Sequence, residues 1–235
     1  MNLLRRSPPI IAIVVAIALA CALAPLRAAD NGDRGKDEYT VIRDGLAPNR
    51  QLSLAAHAES DGGNDNFQIW LMAEPAHRKI ATLDDIGPDN TLDTGPDAYS
   101  ASWSDDSHHV AVAFPSDRHV RQLNIYAIEN GRARLLAGPD LYKRATGRKL
   151  AAQDDASQSA SEIIWKGRDR FVLREHRLFL TSDAGFVRRL GAYGKVDEKL
   201  DDGRLAVEFS AEAEAMLAPG NRYRITRLRV GKFGT

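Results

Sequence analysis

One short pattern recurs four times in this chain and constrains its fold more than any other feature. Each copy is an apolar anchor, a polar turn rich in Asp, Asn or Gly, and then a strand of alternating residues. Trp103-Ser104-Asp105-Asp106-Ser107 leading to Val110-Ala111-Val112 is the clearest copy. Leu46-Ala47-Pro48-Asn49-Arg50 leading to Leu52-Ser53-Leu54, Trp165-Lys166-Gly167-Arg168-Asp169 leading to Phe171-Val172-Leu173, and Leu200-Asp201-Asp202-Gly203 leading to Leu205-Ala206-Val207 align with it. Alternation with β-branched and aromatic residues between turn signals means strands rather than helices. A second strand follows in each copy, centred on Trp70, Tyr126, Phe179 and Tyr223. The anchor-to-aromatic spacings are 24, 23, 14 and 23 residues. The shorter third spacing implies a tighter hairpin at Arg174-Glu175-His176-Arg177.

Repetition at this period predicts an all-β fold, β-propeller-like with about four blades, over residues 39–231. A β-sandwich is the alternative, because four hairpins also stack as two sheets. Trp103 and Trp165, at equivalent places, are expected to pack between successive sheets. Ala211 to Leu217 has a brief helical look, but no longer helical stripe appears, so a βαβ architecture is not expected.

The second copy continues through Ser116-Asp117-Arg118 to Ile125-Tyr126, and Leu178-Phe179-Leu180-Thr181-Ser182-Asp183-Ala184-Gly185 ends the third. With the Trp103–Ser107 turn, these segments resemble the WD40-like repeat of periplasmic TolB-type β-propellers. The good match covers about 40 residues and loosens elsewhere. Its second turn lacks the family's Pro, and Ser-Asp-Arg lacks the following Gly. The resemblance implies a noncatalytic binding module of the cell envelope, with an envelope protein or lipoprotein as partner. A periplasmic hydrolase on a propeller scaffold is the alternative, since fold does not fix function.

The front of the chain supplies an address. Arg5 and Arg6 precede an unbroken apolar run from Ile10 to Ala24, then Pro25 and a small-residue boundary at Ala28. This is the layout of a secretory signal peptide over residues 1–28, followed by a polar leader over 29–38. The expected location is the periplasm or the exterior, with no membrane span after cleavage, because the run is short of the roughly 20 residues a span needs. An uncleaved anchor, twin-arginine export through Arg5-Arg6, and lipidation of Cys21 are the alternatives.

Charge and composition remove several chemistries. Lys and Arg number 32 and Asp and Glu number 32, so no nucleic-acid partner is expected. Cys21 is the only cysteine, and trimming at Ala28 would remove every thiol nucleophile, thiol ligand and disulfide. No phosphate-cradling or dinucleotide motif occurs, no His pair stands at metal spacing, and no cofactor is expected. Leu92-Asp93-Thr94-Gly95 contains the triplet of aspartic proteases but runs into Pro96, and reads as a turn. Asp61-Gly62-Gly63-Asn64-Asp65-Asn66 lacks the spacing of a calcium loop and reads as a hairpin tip. His108 and His109 are expected on opposite sides of a strand.

Two long insertions, residues 84–97 and 143–161, are candidates for function. The first carries Asp84, Asp85, Asp89, Asp93 and Asp97, the candidate partner-binding loop. Residues 29–110 hold sixteen acids against six Lys and Arg, and residues 111–235 hold sixteen against twenty-three, so the domain is expected to be electrically polar. Arg222 and Arg224 share one face of the last strand, and Arg227 and Arg229 the other, if that strand is free of bulges.

Overall fold

The computed structural model describes residues 39–57, 68–83, 86, 96–117, 119–136, 140–148, 158–190, 193–220 and 222–231. Within them the chain is mostly β, as its alternating pattern requires, with two short helices and a 3-10 turn at Pro96–Ala98. No helix among these residues is long and apolar enough to cross a membrane.

The strands form three antiparallel meanders. The first is β1 (Tyr39–Leu46), β2 (Leu52–His57), β3 (Gln68–Ala73) and β4 (Arg78–Thr82). The second is β5 (Ser100–Trp103), β6 (His109–Asp117), β7 (Val120–Glu129) and β8 (Arg132–Leu136). Helix α1 (Leu141–Thr146) follows, starting two residues before the second long insertion and running into it. The third meander is β9 (Gln158–Trp165), β10 (Arg170–Thr181), β12 (Leu205–Ala218) and β13 (Arg222–Val230). Helix α2 (Ala184–Leu190) and strand β11 (Gly194–Lys199) lie between β10 and β12, and β11 pairs with the first half of β12. Single parallel bridges, Arg43 to Ser100 and Val120 to Ser159, link the meanders. Among the described residues, hydrogen bonding therefore traces one open sheet of thirteen strands, whose path ends at β4 and β11 without closing.

Three expectations are corrected by this pairing. The third and fourth sequence copies are not separate units: β10 pairs with β12 without interruption from Arg170–Met216 to Thr181–Leu205. Four copies thus make three meanders. The tight hairpin expected at Arg174–Arg177 is the middle of β10. No Gly, Pro, Asn or Asp interrupts Phe171 to Leu180, so nothing there can turn the chain. The helical look of Ala211 to Leu217 is also overturned, because this segment lies inside β12. Ala211, Ala213 and Ala215 are buried while Glu212 and Glu214 face outward. Pairing on both sides of β12 overrides the helix propensity of Ala, Glu and Met.

Side-chain size explains how the meanders stack. On β6 and β7, Val110, Val112, Phe114, Tyr126 and Ile128 join a core shared with Ile42, Leu54, Ile69 and Leu71 of the first meander. From the opposite face, Ala111, Ile125 and Ala127 join a core with Phe171, Leu173, Phe179 and Phe209 of the third. The second meander is thus buried on both sides, and the molecule has three layers where a sandwich would have two. Helices α1 and α2 close the second core with Tyr142, Phe186 and Leu190. Tyr142 meets Phe209 edge-on at 5.3 Å between ring centroids, and Phe186 meets Phe179 at 5.1 Å, a favourable geometry for aromatic pairs.

A buried carboxylate anchors α1. Glu175 on β10 accepts from the backbone N–H of Leu141 at 3.2 Å and from Arg177 at 2.6 Å. Burial pushes its pKa up against the pull of the Arg177 charge.

Candidate functional site

Three of the four repeated turns share one surface, linked by Asn49 to Ser107 and by Arg168 to Asp106; the fourth precedes Leu205, which pairs with Thr181 at the far end of β10. In the first turn Ala47 N–H donates to Leu52 O at 2.9 Å and Arg50 N–H to Ala47 O at 2.9 Å. In the second, Ser104 N–H donates to His109 O at 2.9 Å and Ser107 N–H to Ser104 O at 2.9 Å. Side chains repeat as well: Asn49 Oδ1 accepts from Gln51 N–H at 2.9 Å, and Asp106 Oδ1 from His108 N–H at 3.1 Å. Arg50 and Ser107 both have left-handed backbones, with φ of 56° and 61°. Part of this wiring recurs at Leu200, Asp202, Gly203 and Arg204: Gly203 N–H donates to Leu200 O and Arg204 N–H to Asp202 Oδ1. Glycine takes the left-handed place with φ of 85°, and the turn closes one residue earlier, from Leu200 N–H to Arg204 O. Leu200 therefore corresponds to Ala47 and Ser104, one place away from the alignment of anchors in the sequence. The third turn, closed by Lys166 N–H donating to Arg170 O at 2.8 Å, differs in placing its left-handed residue at Gly167.

The first two turns are joined directly. Asn49 N–H donates to Ser107 Oγ at 3.1 Å. Beside this clamp lies an open cleft of about 520 Å³ lined by Asn49, Gln51, Ser107, His108, Glu129 and Asn130, among others. Below it the two indoles dock in the same way. Trp103 Nε1–H donates to Gly45 O at 3.1 Å, and Trp165 Nε1–H to Ser102 O at 2.9 Å. Each acceptor stands one residue before the anchor of the preceding copy, so the expected inter-sheet role of both tryptophans is realised by one repeated contact. Gly45 has no room for a side chain, since a Cβ there would lie 2.6 Å from Leu54 O.

Asp106 is the electrostatic centre of this surface. Burial pushes its pKa up, but hydrogen bonds from Ser104 Oγ, the His108 backbone and side chain, and Arg168 outweigh it and bring the group down to about 2. The contacts are 2.7 Å to Ser104 Oγ, 3.3 Å to His108 Nδ1 and 3.4 Å to Arg168 Nε. Ser104, Asp106 and His108 are thus neighbours, but the serine hydroxyl donates to the aspartate and not to the histidine. A hydrolytic triad needs the serine bonded to the histidine that takes its proton. His109 points the other way, toward Trp165, with ring centroids 6.2 Å apart. Its Nδ1 is buried without a hydrogen-bond partner among the described residues, and burial lowers its pKa.

Of the acidic partner loop, Asp84, Asp85, Asp89 and Asp93 lie outside the described residues, as do the Asp61–Asn66 and Leu92–Gly95 motifs. Asp97 is exposed on the 3-10 turn Pro96–Ala98, and Arg121 of β7 holds that turn by donating to Ala98 O at 2.9 Å. Among the described residues no group of three or more His, Cys, Asp or Glu is arranged to hold a metal ion. The cleft joins residues from three separate segments. Its only sequence signal was the turn repeat itself.

No family model matches the chain, and no curated protein is a significant match. Among solved structures, it is similar to TolB from Acinetobacter baumannii at 10% identity and a TM-score of 0.31, over 80% of this chain and 40% of that one. It is also similar to a triple arginine-to-alanine mutant of AofleA from Arthrobotrys oligospora, at 12% identity and a TM-score of 0.32, over 81% of this chain and 60% of that one. The chain therefore spans less than two thirds of the length of either. Both resemblances are distant.

Proposed function

We propose that this chain is an exported, noncatalytic binding module of the cell envelope, built on a propeller-like stack, that engages an envelope protein through its turn face. The observation that carries this reading is the clamp between Asn49 and Ser107 with the cleft beside it. Repeated turns held rigid by backbone bonds present polar side chains at little ordering cost, which favours binding. The hydrolase alternative needs an exposed nucleophile bonded to a base. Here Ser104 and Ser107 are buried, one donating to Asp106 and the other accepting from Asn49. Export rests on the basic, apolar and small-residue order of residues 1–28.

The acidic insertion is the second contact in this proposal. Exposed carboxylates speed the encounter with a basic partner and are screened by salt. The test is capture from envelope extract at low and moderate salt by three proteins: wild type, a His108→Ala/Asn130→Ala variant, and a variant with Asn at positions 84, 85, 89, 93 and 97. Loss of a specific captured protein with the first variant, and salt-sensitive weakening with the second, are expected. Equal capture by all three at both salts contradicts the proposal. A periplasmic product lacking about 28 residues by intact mass supports the address, and a full-length cytosolic one refutes it.

A further inference from the structure

The outer face of the third meander carries two different charge arrangements. Toward one end, Glu162, Arg174, Glu212 and Arg229 are register partners across β9, β10, β12 and β13. They alternate in sign and pair at 3.6, 3.0 and 3.7 Å. In the next row outward-facing Glu214 pairs with Arg227 at 3.7 Å. Beyond Glu214 the carboxylates of β12 stop and the arginines continue. Arg170, Met216 and Arg224 form the third row, and Arg222 stands opposite Ala218 in the last.

A bulge puts these arginines together. Glu214 pairs with Arg227 and Ala215 with Ile225, so Thr226 is the extra residue, its hydroxyl donating to Glu214 O at 3.1 Å. The faces expected for an unbulged strand are thereby corrected. Arg222, Arg224, Arg227 and Arg229 all face outward, while Tyr223, Ile225, Leu228 and Val230 pack on the core. Arg227 and Arg229 have carboxylate partners. Arg170, Arg222 and Arg224 have none among the described residues, and Arg224 instead donates to Met216 Sδ at 3.4 Å. The neighbouring turn adds Lys166 and Arg168 against Asp169, and Arg168 is already engaged with Asp106.

We infer that this corner binds an extended acidic polypeptide segment, which pairs with the free edge of β13. Strand β13 pairs only with β12 among the described strands, so its other edge offers unpaired N–H and C=O groups. A strand added there lies about 4.8 Å away and shows every second side chain on the arginine face. Acidic residues at that period would meet Arg222 and Arg224, with Arg170 and Met216 behind them. Guarding the edge against aggregation does not explain Arg170, which sits two strands inside. None of Arg170, Met216, Arg222 and Arg224 lines the turn-face cleft, and the inference stands or falls independently of the function proposed above.

The test is fluorescence anisotropy on the purified protein with labelled ten-residue peptides. One alternates Glu and Val, a second has the same composition with its glutamates in one block, and a third has Pro in place of each Val. The alternating peptide should bind wild type at least about fivefold tighter than either control peptide. Substituting Arg170→Gln, Arg222→Gln and Arg224→Gln together should weaken it about tenfold, with melting temperature unchanged. Arg227→Gln, which removes a paired arginine, should change affinity less than about twofold. Equal affinity for the three peptides, or no loss in the triple variant, overturns the inference. So does inorganic polyphosphate binding tighter than the alternating peptide, or self-association in sedimentation that the triple variant abolishes.

Discussion

The indole N–H of Trp165 donates to the backbone carbonyl of Ser102 across 63 positions of sequence, at 2.9 Å. Trp103 makes the equivalent bond to Gly45, so one contact, used twice, sets how each layer rests on the one before it. Replacing Trp103 by Phe keeps most of the buried surface and leaves the Gly45 carbonyl without its donor. An unsatisfied buried acceptor costs about 1–3 kcal/mol. Chemical denaturation should show that loss for Trp103→Phe and a smaller one for Trp165→Phe, whose indole is only partly buried.

Arg50 and Ser107 share a left-handed backbone but not a role. Glycine adopts that conformation without steric cost. Relief of about 1–2 kcal/mol of left-handed strain is offset by about 0.5–1 kcal/mol of added unfolded-chain entropy. Arg50→Gly should therefore leave stability unchanged or raise it by up to about 1 kcal/mol. Ser107→Gly gains the same relief and loses the acceptor for Asn49 N–H, so its change should be neutral or destabilising. Denaturation midpoints of the two variants, measured side by side, check the difference.

His109 should make stability depend on pH. Burial disfavours its charged form, the His108 side chain adds to that, and Asp106 and Glu129 oppose it. With a folded pKa below the unfolded value of about 6.5, the contribution of the neutral ring is fully present above that pH. It is lost as pH falls below 6.5 toward the folded value, because the unfolded chain binds the proton more readily. Between pH 7.5 and 5.5 the denaturation midpoint of wild type should fall more than that of His109→Gln. Parallel curves would contradict this role.

What could be read from residues alone divides along physical lines. The Trp103–Ser107 turn and the inter-sheet tryptophans were legible, because turn chemistry and large aromatic anchors act locally. The merging of the last two copies was not, since the shorter spacing from Trp165 to Phe179 looks like a trimmed hairpin unless the missing turn residues in Phe171–Leu180 are weighed. Ala211–Leu217 was ambiguous for a similar reason. Its Ala-Glu alternation has period 2, but its residues favour helix, and only pairing with β10 and β13 decides between them. The bulge at Thr226 has no mark in sequence, and it alone gathers the four arginines. The cleft depends on contact between Asn49 and Ser107, 58 positions apart.

That the last two sequence copies form a single meander is tested most directly by a disulfide between β10 and β12. Arg174 and Glu212 are register partners with outward-facing side chains, and directly opposed residues on antiparallel strands lie about 4.5–5.5 Å apart, within disulfide range. In a Cys21→Ser background, Arg174→Cys with Glu212→Cys should oxidise in the folded protein to an intramolecular bridge, seen as a mass loss of about two hydrogens, with the melting temperature held or raised. If the two thiols stay free in the folded protein and bridge only after denaturation, β10 and β12 belong to separate units and the three-layer architecture is wrong.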